Sequence, residues 1–366
     1  MKKTLLAAAL LSGLSSAYAS QITLYGNVDL GMSFSRQGGD HGDGHVSVAM
    51  KSGMRNSSRF GIRGSETLSN SYKLGFILES QFAADSGQLQ TQGRLWERES
   101  SLWIEGPFGK ITAGHVGYLK GVVGSTALLN SYRVNPFGSQ MSNFITGYKA
   151  YTTGTTWYTN NGIVWQSPTL ANTTVYVQYS NAVEDESAHY HEQDRYFAGA
   201  VRYMNGSLLL QAIIDTTARG SKTALSNDVY RDPISFGLQA AYDFGPVKAF
   251  AMAETFRDSP LNTVGGYLKG NGLFDGTGGT FVLQWPALGG KAKMGGGLMK
   301  ASSSSGYSTI TSDVTRMGAS VGYDYALTKR TNLYVNYGYI KQKTEKAQGT
   351  VRDNGMELVA GMVHFF

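Results

Sequence analysis

The chain has 366 residues and a formal net charge of +6 at pH 7, and its sequence contains 47 glycines, 7 prolines and no cysteine. The absence of cysteine excludes disulfide bonds, zinc–thiolate sites and a cysteine nucleophile. Abundant glycine with little proline is typical of extended strands joined by tight turns. The mildly basic charge does not indicate nucleic-acid binding, because no nucleic-acid module accompanies it.

The first nineteen residues have the three parts of a secretory signal peptide in the usual order. Two lysines give a positive start, an apolar run follows, and Ala17 and Ala19 form a small-residue cleavage site. The apolar run is too short to span a membrane, and a buried N-terminal helix explains this order less well. We therefore expect residues 1–19 to be a signal peptide and residues 20–366 to form one domain that begins at Ser20.

The next segment alternates apolar and polar residues over residues 21–36, which is the period of a β-strand. Residues 354–366 alternate in the same way, and both segments exceed the roughly 5–6 residues of a typical soluble strand. After the signal, no apolar stretch approaches the length that a membrane helix needs, which excludes a helical membrane protein. A closed membrane barrel fits better, because its apolar face meets lipid, its polar face lines water and closure removes unpaired edges.

Sixteen such segments can be placed along the chain. They start near residues 21, 55, 71, 95, 109, 155, 171, 194, 206, 233, 246, 279, 291, 312, 331 and 354. Long links cover residues 37–54, 115–154, 182–193, 218–231 and 258–278, and short turns alternate with them. This asymmetry is typical of outer-membrane barrels, and sixteen strands enclose an aqueous lumen. The sequence therefore predicts an all-β fold, a transmembrane antiparallel β-barrel of 16 strands.

Several short stretches are spread over the whole of the expected mature chain. They are TLYGNVDLG from Thr23, SSRFGIRGSE from Ser57, FGKITAGH from Phe108, NPFG from Asn135, NNGIVWQSP from Asn160 and YALTKRTNLYVNYGY from Tyr325, with a final Phe366. In this order they resemble the general porins of Gram-negative bacteria, especially those of beta-proteobacteria. The resemblance implies a homotrimer in the outer membrane, in which each barrel is a channel for small hydrophilic solutes and ions. It also implies a long third loop folded into the lumen, and a role for Phe366 as the signal that the barrel-assembly machinery recognises.

The same resemblance implies a basic cluster that faces the third loop. Arg59 and Arg98 match members of that cluster, and Arg63 shares a strand face with Arg59. The loop itself carries Lys120 and Arg133. We therefore expect these five cations to attract anions at the pore constriction, with the loop turn formed by Asn135, Pro136, Phe137 and Gly138.

The sequence departs from the family pattern in its charges. The family usually places acids in the third loop, whereas no acidic residue occurs between Glu105 and Glu184. His115 and Tyr158 stand where the family commonly has arginine. A basic wall that faces a loop without counter-charge predicts an anion-selective constriction, since charges at a narrow point decide which ions pass. The competing interpretation is that wall carboxylates, for instance Asp29 or Glu79, supply the counter-charge.

Three other functions stay open at this point. A substrate-specific channel for phosphate or small organic anions would have the same sequence features. An outer-membrane barrel enzyme would need an acid–base or nucleophile set. The six histidines, His41, His45, His115, His189, His191 and His364, come with no such motif, although the loop histidines could bind a metal weakly. The third open function is that of an adhesin, a barrel whose lumen is closed. We predict no catalytic residue, no resident metal and no cofactor.

Overall fold

A computed structural model describes residues 21–129, 134–137, 151–153, 158–184, 189–220, 231–260, 272–304 and 312–366. The expected signal peptide, Arg133 and Gly138 lie outside these described residues, so their predictions stay untested. No helix within the described ranges has the length and apolar character that a membrane span requires.

The described chain forms a single sheet of antiparallel strands. In chain order they are β1 (Gln21–Gly39), β2 (Val46–Ser52), β3 (Arg59–Ser69), β4 (Tyr72–Gln81), β5 (Glu99–Gly106), β6 (Gly109–Gly117), β7 (Tyr158–Gln166), β8 (Thr173–Ser180), β9 (Arg195–Asn205), β10 (Leu208–Ala218), β11 (Ile234–Asp243), β12 (Lys248–Pro260), β13 (Leu273–Ala287), β14 (Gly290–Ser303), β15 (Ser312–Ala326), β16 (Thr331–Lys346) and β17 (Gly349–Phe365). Consecutive strands pair from β3 to β17, and β17 also pairs with β1. The sheet is therefore closed into a barrel.

Although seventeen strands occur in the described ranges, the barrel wall has sixteen positions. The first part of β1 pairs with β3, where Asn27 lies opposite Arg59. The later part of β1 pairs with β2, where Leu30 lies opposite Ser52. Because β2 and β3 share one side of β1, they form a single interrupted wall position. The predicted 16-stranded barrel is confirmed, whereas the prediction of one unbroken loop over residues 37–54 is wrong.

The interruption between β2 and β3 is held by a buried carboxylate. Asp29 accepts backbone hydrogen bonds from Arg55 at 2.9 Å and Asn56 at 2.6 Å, and it also accepts one from the Tyr334 hydroxyl at 2.5 Å. Asp29 is buried and its oxygens are occupied by this bend. It therefore supports the wall geometry, whereas the carboxylate that pairs with Arg59 and Arg98 is Glu79.

Strand β11 illustrates how the two faces of the barrel arise from the sequence. Ile234, Phe236 and Leu238 are exposed, whereas Ser235, Gly237 and Gln239, which alternate with them, are buried. Successive strand residues point to opposite sides of the sheet, so the apolar set forms the outer face and the polar set the inner face. Short turns such as that at Gly206, whose φ is +54°, connect the strands at the end where the chain also terminates.

Apolar clusters lie between the inner face and the long segment that joins β6 to β7. Leu119 and Leu129 of this segment are buried together with Tyr196 and Ile213 of the wall. Phe137, further along the same segment, is buried among wall residues in a second cluster. A barrel whose inner face were entirely solvated would have no such contacts, because apolar groups gain from leaving water.

Candidate functional site

Three of the predicted basic residues line one cavity on the inner face. Arg59 and Arg63 lie on β3 and Arg98 lies just before β5, and residues 122–125 of the segment after β6 form the opposite side. The cavity has a volume of about 230 Å³. The structure thus brings together three cations that are spread over 39 positions of the sequence, and it places residues 122–125 of the segment after β6 against them.

Two of these arginines share a carboxylate. Glu79 on β4 accepts a hydrogen bond from Arg98 Nε at 2.6 Å, and its other oxygen lies 3.3 Å from Arg59 Nε. Arg98 also donates to Gln81 at 2.6 Å. Glu79 therefore supplies counter-charge to Arg59 and Arg98, as the competing interpretation expected, and the anion preference of the constriction stays a prediction.

Arg63 differs from the other two arginines. Its side chain is exposed, and its guanidinium carbon lies 5.0 Å from the centroid of the Tyr25 ring. A guanidinium at this distance is attracted to the face of an aromatic ring. No carboxylate within the described part of the chain pairs with Arg63. Of the three cavity arginines, Arg63 is therefore the one that no carboxylate of the described ranges neutralises.

Glu99 is a cavity residue that sequence analysis missed. Its carboxylate accepts hydrogen bonds from the Ser125 backbone N–H and hydroxyl, each at 2.6 Å, and from the Ser101 hydroxyl at 2.7 Å. These contacts attach the segment after β6 to β5 beside Gly124, whose φ is +84°. The sequence indicated an inward position for Glu99 only through strand parity, since Glu99 and Ser101 lie on the same face of their strand.

Lys120 does not line this cavity, contrary to the prediction that groups it with the pore arginines. Its ammonium is buried and donates to Glu254 at 3.0 Å, Ser235 at 2.5 Å and Thr153 at 2.6 Å. Asp215 lies 3.7 Å away. Burial disfavours the charged ammonium, but the two carboxylates outweigh that effect and raise the pKa of Lys120 above its usual range.

The predicted loop turn is described at Asn135, Pro136 and Phe137. The Asn135 side chain accepts a hydrogen bond from the Phe137 backbone N–H at 2.9 Å, which closes a local turn. Pro136 accepts a hydrogen bond at 3.2 Å from Lys293 Nζ, and that ammonium also lies 5.1 Å from the Phe137 ring centroid. The turn therefore contacts the wall at β14, far from the arginine cavity in strand order.

The returning limb of the same segment contacts the wall through Tyr151. Three glycines on adjacent strands face it, Gly278 on β13, Gly297 on β14 and Gly318 on β15. A Cβ at Gly278 would overlap the Tyr151 carbonyl oxygen, and at the other two it would overlap the ring or the hydroxyl. Tyr151 is fully buried. Only residues without a side chain leave room for this backbone and ring.

A second cavity, of about 690 Å³, opens toward the end of the barrel that carries the short turns. Its charged lining residues are Arg55, Asp243, Lys248, Lys291 and Asp324, and Pro136 forms part of its boundary. Lys248 pairs with Asp243 at 2.9 Å, and Arg55 lies 3.5 Å from Asp324. The same segment therefore lines both cavities, the first through residues 122–125 and the second through Pro136.

The two departures from the family pattern lie next to the arginine cavity. The rings of His115 and Tyr158 are 5.3 Å apart, and the Tyr158 hydroxyl is 3.4 Å from Arg98. His115 also contacts the Glu97 backbone carbonyl at 2.7 Å. Within the described ranges, no three His, Cys, Asp or Glu residues form a group that could hold a metal ion.

The final residue joins the two ends of the chain. The Phe366 N–H donates to Gly26 at 3.1 Å, and the Gly26 N–H donates to Phe366 at 3.3 Å. A Cβ at Gly26 would lie 2.5 Å from the Phe366 ring, so the ring rests on the glycine. The C-terminal aromatic thus completes the seam between β17 and β1.

A closed antiparallel barrel with an apolar outer face and a charged inner cavity defines the transmembrane β-barrel class of outer-membrane proteins. Residues 4–345 match the family model of Gram-negative porins, and the chain belongs to that family. It is therefore a porin of the Gram-negative outer membrane, as the sequence resemblance predicted.

Relatives and solved structures agree with this assignment. The chain is 29% identical to an outer membrane porin protein of Bordetella pertussis, over 93% of this chain and 94% of the relative. It is 28% identical to outer membrane porin protein 32 of Delftia acidovorans, over 95% and 92%. Both are beta-proteobacterial, as predicted. An anion-selective porin from Comamonas acidovorans superposes with a TM-score of 0.70 at 20% identity, covering 95% of this chain and all of that one.

Proposed function

We propose that the chain forms a homotrimeric, water-filled channel for passive diffusion of small hydrophilic solutes and ions, with a preference for anions. In this proposal the segment between β6 and β7 lies in the lumen and narrows it. The observation that carries the proposal is the cavity in which Arg59, Arg63 and Arg98 face residues 122–125.

The charge balance of this cavity favours anions. Its arginines outnumber its carboxylates, Glu79 and Glu99, by three to two. Glu79 is engaged by arginines and Glu99 by serine donors, whereas Arg63 is exposed. A charge about 4 Å from a passing ion contributes about 4 kcal/mol at an effective dielectric constant of about 20. One available arginine at a narrow point is thus enough to set the preferred sign.

The comparison with known structures supports the same sign, since the similar porin from Comamonas acidovorans is described as anion-selective. The direct test is the reversal potential of the purified mature protein in a planar bilayer with a potassium chloride gradient. We expect a potential of the sign that chloride permeation gives. A potential of the opposite sign, reproduced with the gradient inverted, would overturn the anion preference.

A second candidate is a channel specific for phosphate or small organic anions. The small volume of the arginine cavity favours it, and so do the apolar clusters that attach the segment after β6 to the wall. Conductance that saturates with phosphate concentration and not with chloride concentration would support it, because saturation requires a binding site in the path. Conductance that rises linearly with the concentration of both phosphate and chloride would instead support the general channel.

The remaining parts of the proposal concern assembly. If the protein is a trimer, each insertion into a bilayer should add three equal conductance levels. Cross-linking should also give a gel band at three times the mass of the chain. Recognition of Phe366 by the barrel-assembly machinery is a separate proposal with its own test below. An enzymatic role predicts turnover of peptides or phospholipids by the purified protein, and we expect none.

A further inference from the structure

The outer face of the barrel carries a groove whose position is unrelated to the pore. It crosses β11 to β14 and has a volume of about 830 Å³. The barrel register aligns Leu238, Ala253, Gly279 and Leu298 in one row across these strands. The leucines at both ends of the row are 50% and 45% exposed, and the small residues between them form the floor. Phe281 forms another exposed wall of the groove.

One end of this groove is cationic. Lys300 lines the groove on the side of the long loops, one step above Leu298 on the same face of β14. The register aligns Lys300 with Thr315, Lys343 and Arg352 across β14 to β17. All three cations are exposed on the outer face. Since neighbouring strands are about 4.8 Å apart, the row places two lysines roughly 10 Å from each other.

Carboxylates occur in the next row toward the loops, at Asp313 and Glu345. Glu345 pairs with Lys343 at 2.7 Å, and both side chains are about half exposed. From the middle of the barrel toward the long loops, the outer face therefore carries an apolar belt, then a row of cations, then a row of acidic residues. A group that rises out of the lipid meets the cations first, and Lys341, on the belt side of Lys343, adds to them.

We propose that this outer groove and the adjoining row of cations bind a phosphate-bearing, anionic lipid of the outer leaflet. An acyl chain would occupy the groove over Ala253 and Gly279, and the phosphate would contact Lys300 and Lys343. An apolar groove ending in cations is complementary to an anionic amphiphile, because lysine stems cover apolar surface while their ammonium groups remain at the interface. The inference uses the outer-membrane location and is independent of ion selectivity.

The test compares lipids that share acyl chains and differ in headgroup. The refolded mature protein is mixed in detergent with dipalmitoyl phosphatidylglycerol or dipalmitoyl phosphatidylcholine, and native mass spectrometry measures the retained lipid. We expect the anionic lipid to be retained at least tenfold more tightly. Replacing both lysines, K300A with K343A, is expected to weaken its retention about 25-fold, since each basic residue near an anionic lipid contributes about fivefold.

Two further variants separate the groove from the charge. Ala253→Leu fills the floor and is expected to weaken retention of both lipids. K329A with R330A removes two cations from the short turn between β15 and β16, at the other end of the barrel, and is expected to have no effect. Heat-modifiable migration on a gel confirms that each variant is folded.

The proposal fails if the two lipids are retained equally, or if the K300A and K343A pair changes retention no more than the turn variant does. It also fails if a cysteine placed at Ala253 cross-links efficiently to a second copy of the chain, because the groove would then be a subunit interface. Neither result would bear on the reversal potential, so the two proposals can fail separately.

Discussion

Lys120 Nζ lies 3.0 Å from Glu254 Oε1, and this ion pair joins the segment after β6 to β12. Thr153, from the returning limb of the same segment, also donates to Glu254 from its backbone N–H at 3.1 Å. A single carboxylate thus holds both limbs. Because the ammonium and the carboxylate are buried, the pair is sensitive to loss of either partner.

The first prediction concerns this pair. Lys120→Met leaves the buried Glu254, and the partly buried Asp215 beside it, without their cation, and loss of one partner of a buried pair typically costs about 3–5 kcal/mol. We expect a lower unfolding midpoint in detergent and larger, noisier single-channel currents, because the segment is no longer held. The matched control is Asp243→Asn, which breaks the exposed Lys248–Asp243 pair and should leave the unfolding midpoint nearly unchanged. Equal stability of Lys120→Met and wild type would contradict the role given to Lys120.

The pH dependence of the same pair follows from the raised pKa of Lys120. A lysine whose pKa is higher in the folded state stabilises the fold fully below its unfolded pKa, about 10.4, and loses that contribution as the pH rises through the folded value. The stability difference between wild type and Lys120→Met should therefore be constant from pH 7 to about 10 and shrink above it. Chemical unfolding of both proteins over this pH series measures the difference. If the stability difference already shrank below pH 9, the result would contradict a raised pKa of Lys120.

The glycines under Tyr151 give a steric prediction. Gly297→Val places atoms where the Tyr151 ring lies, so the returning limb must move away from β14. We expect altered single-channel conductance and faster proteolysis between β6 and β7. Gly199→Ala is the control, since its Cβ would meet nothing closer than 3.8 Å. Tyr151→Ala added to Gly297→Val should restore part of the lost protection, and an unchanged double variant would argue against the contact.

Phe366 allows folding energetics to be separated from assembly in the cell. Phe366 is 45% exposed, so truncating its ring removes only about half of the buried area that a core phenylalanine would lose. Phe366→Ala should therefore refold in detergent almost as well as wild type. If the residue is also an assembly signal, the same variant should reach the outer membrane in much lower amounts, measured by heat-modifiable migration of membrane fractions. If Phe366→Ala reached the outer membrane in normal amounts, Phe366 would not be an assembly signal.

Much of the barrel could be predicted because its strands depend on a local pattern. The period of two places the starts of β15 at Ser312 and β16 at Thr331, where the structure also begins them. Strand β2 carried the same signal, with exposed Val46, Val48 and Met50 on one face. It was missed because the chain bends after Ser52, so no continuous run connects it to β3.

The site was less predictable because its contacts are distant in sequence. Arg59 and Arg63 were placed correctly on one face, since strand parity determines this. Parity cannot distinguish an arginine whose carboxylate lies on the next strand from one that faces open water, and this is the difference between Arg59 and Arg63. Lys120 shows the same limit, since its partner Glu254 is 134 residues away.

The most direct test of the proposed channel is chemical modification at Arg63. The chain has no cysteine, so Arg63→Cys creates one reactive thiol in the arginine cavity. Single-channel current is recorded before and after a bulky, charged thiol reagent is added, with Leu210→Cys on the outer face as the matched control. If ions pass between Arg63 and residues 122–125, modification should reduce the current by more than half and leave the control unchanged. Complete labelling of Arg63→Cys with no change in current would show that the conducting path lies elsewhere.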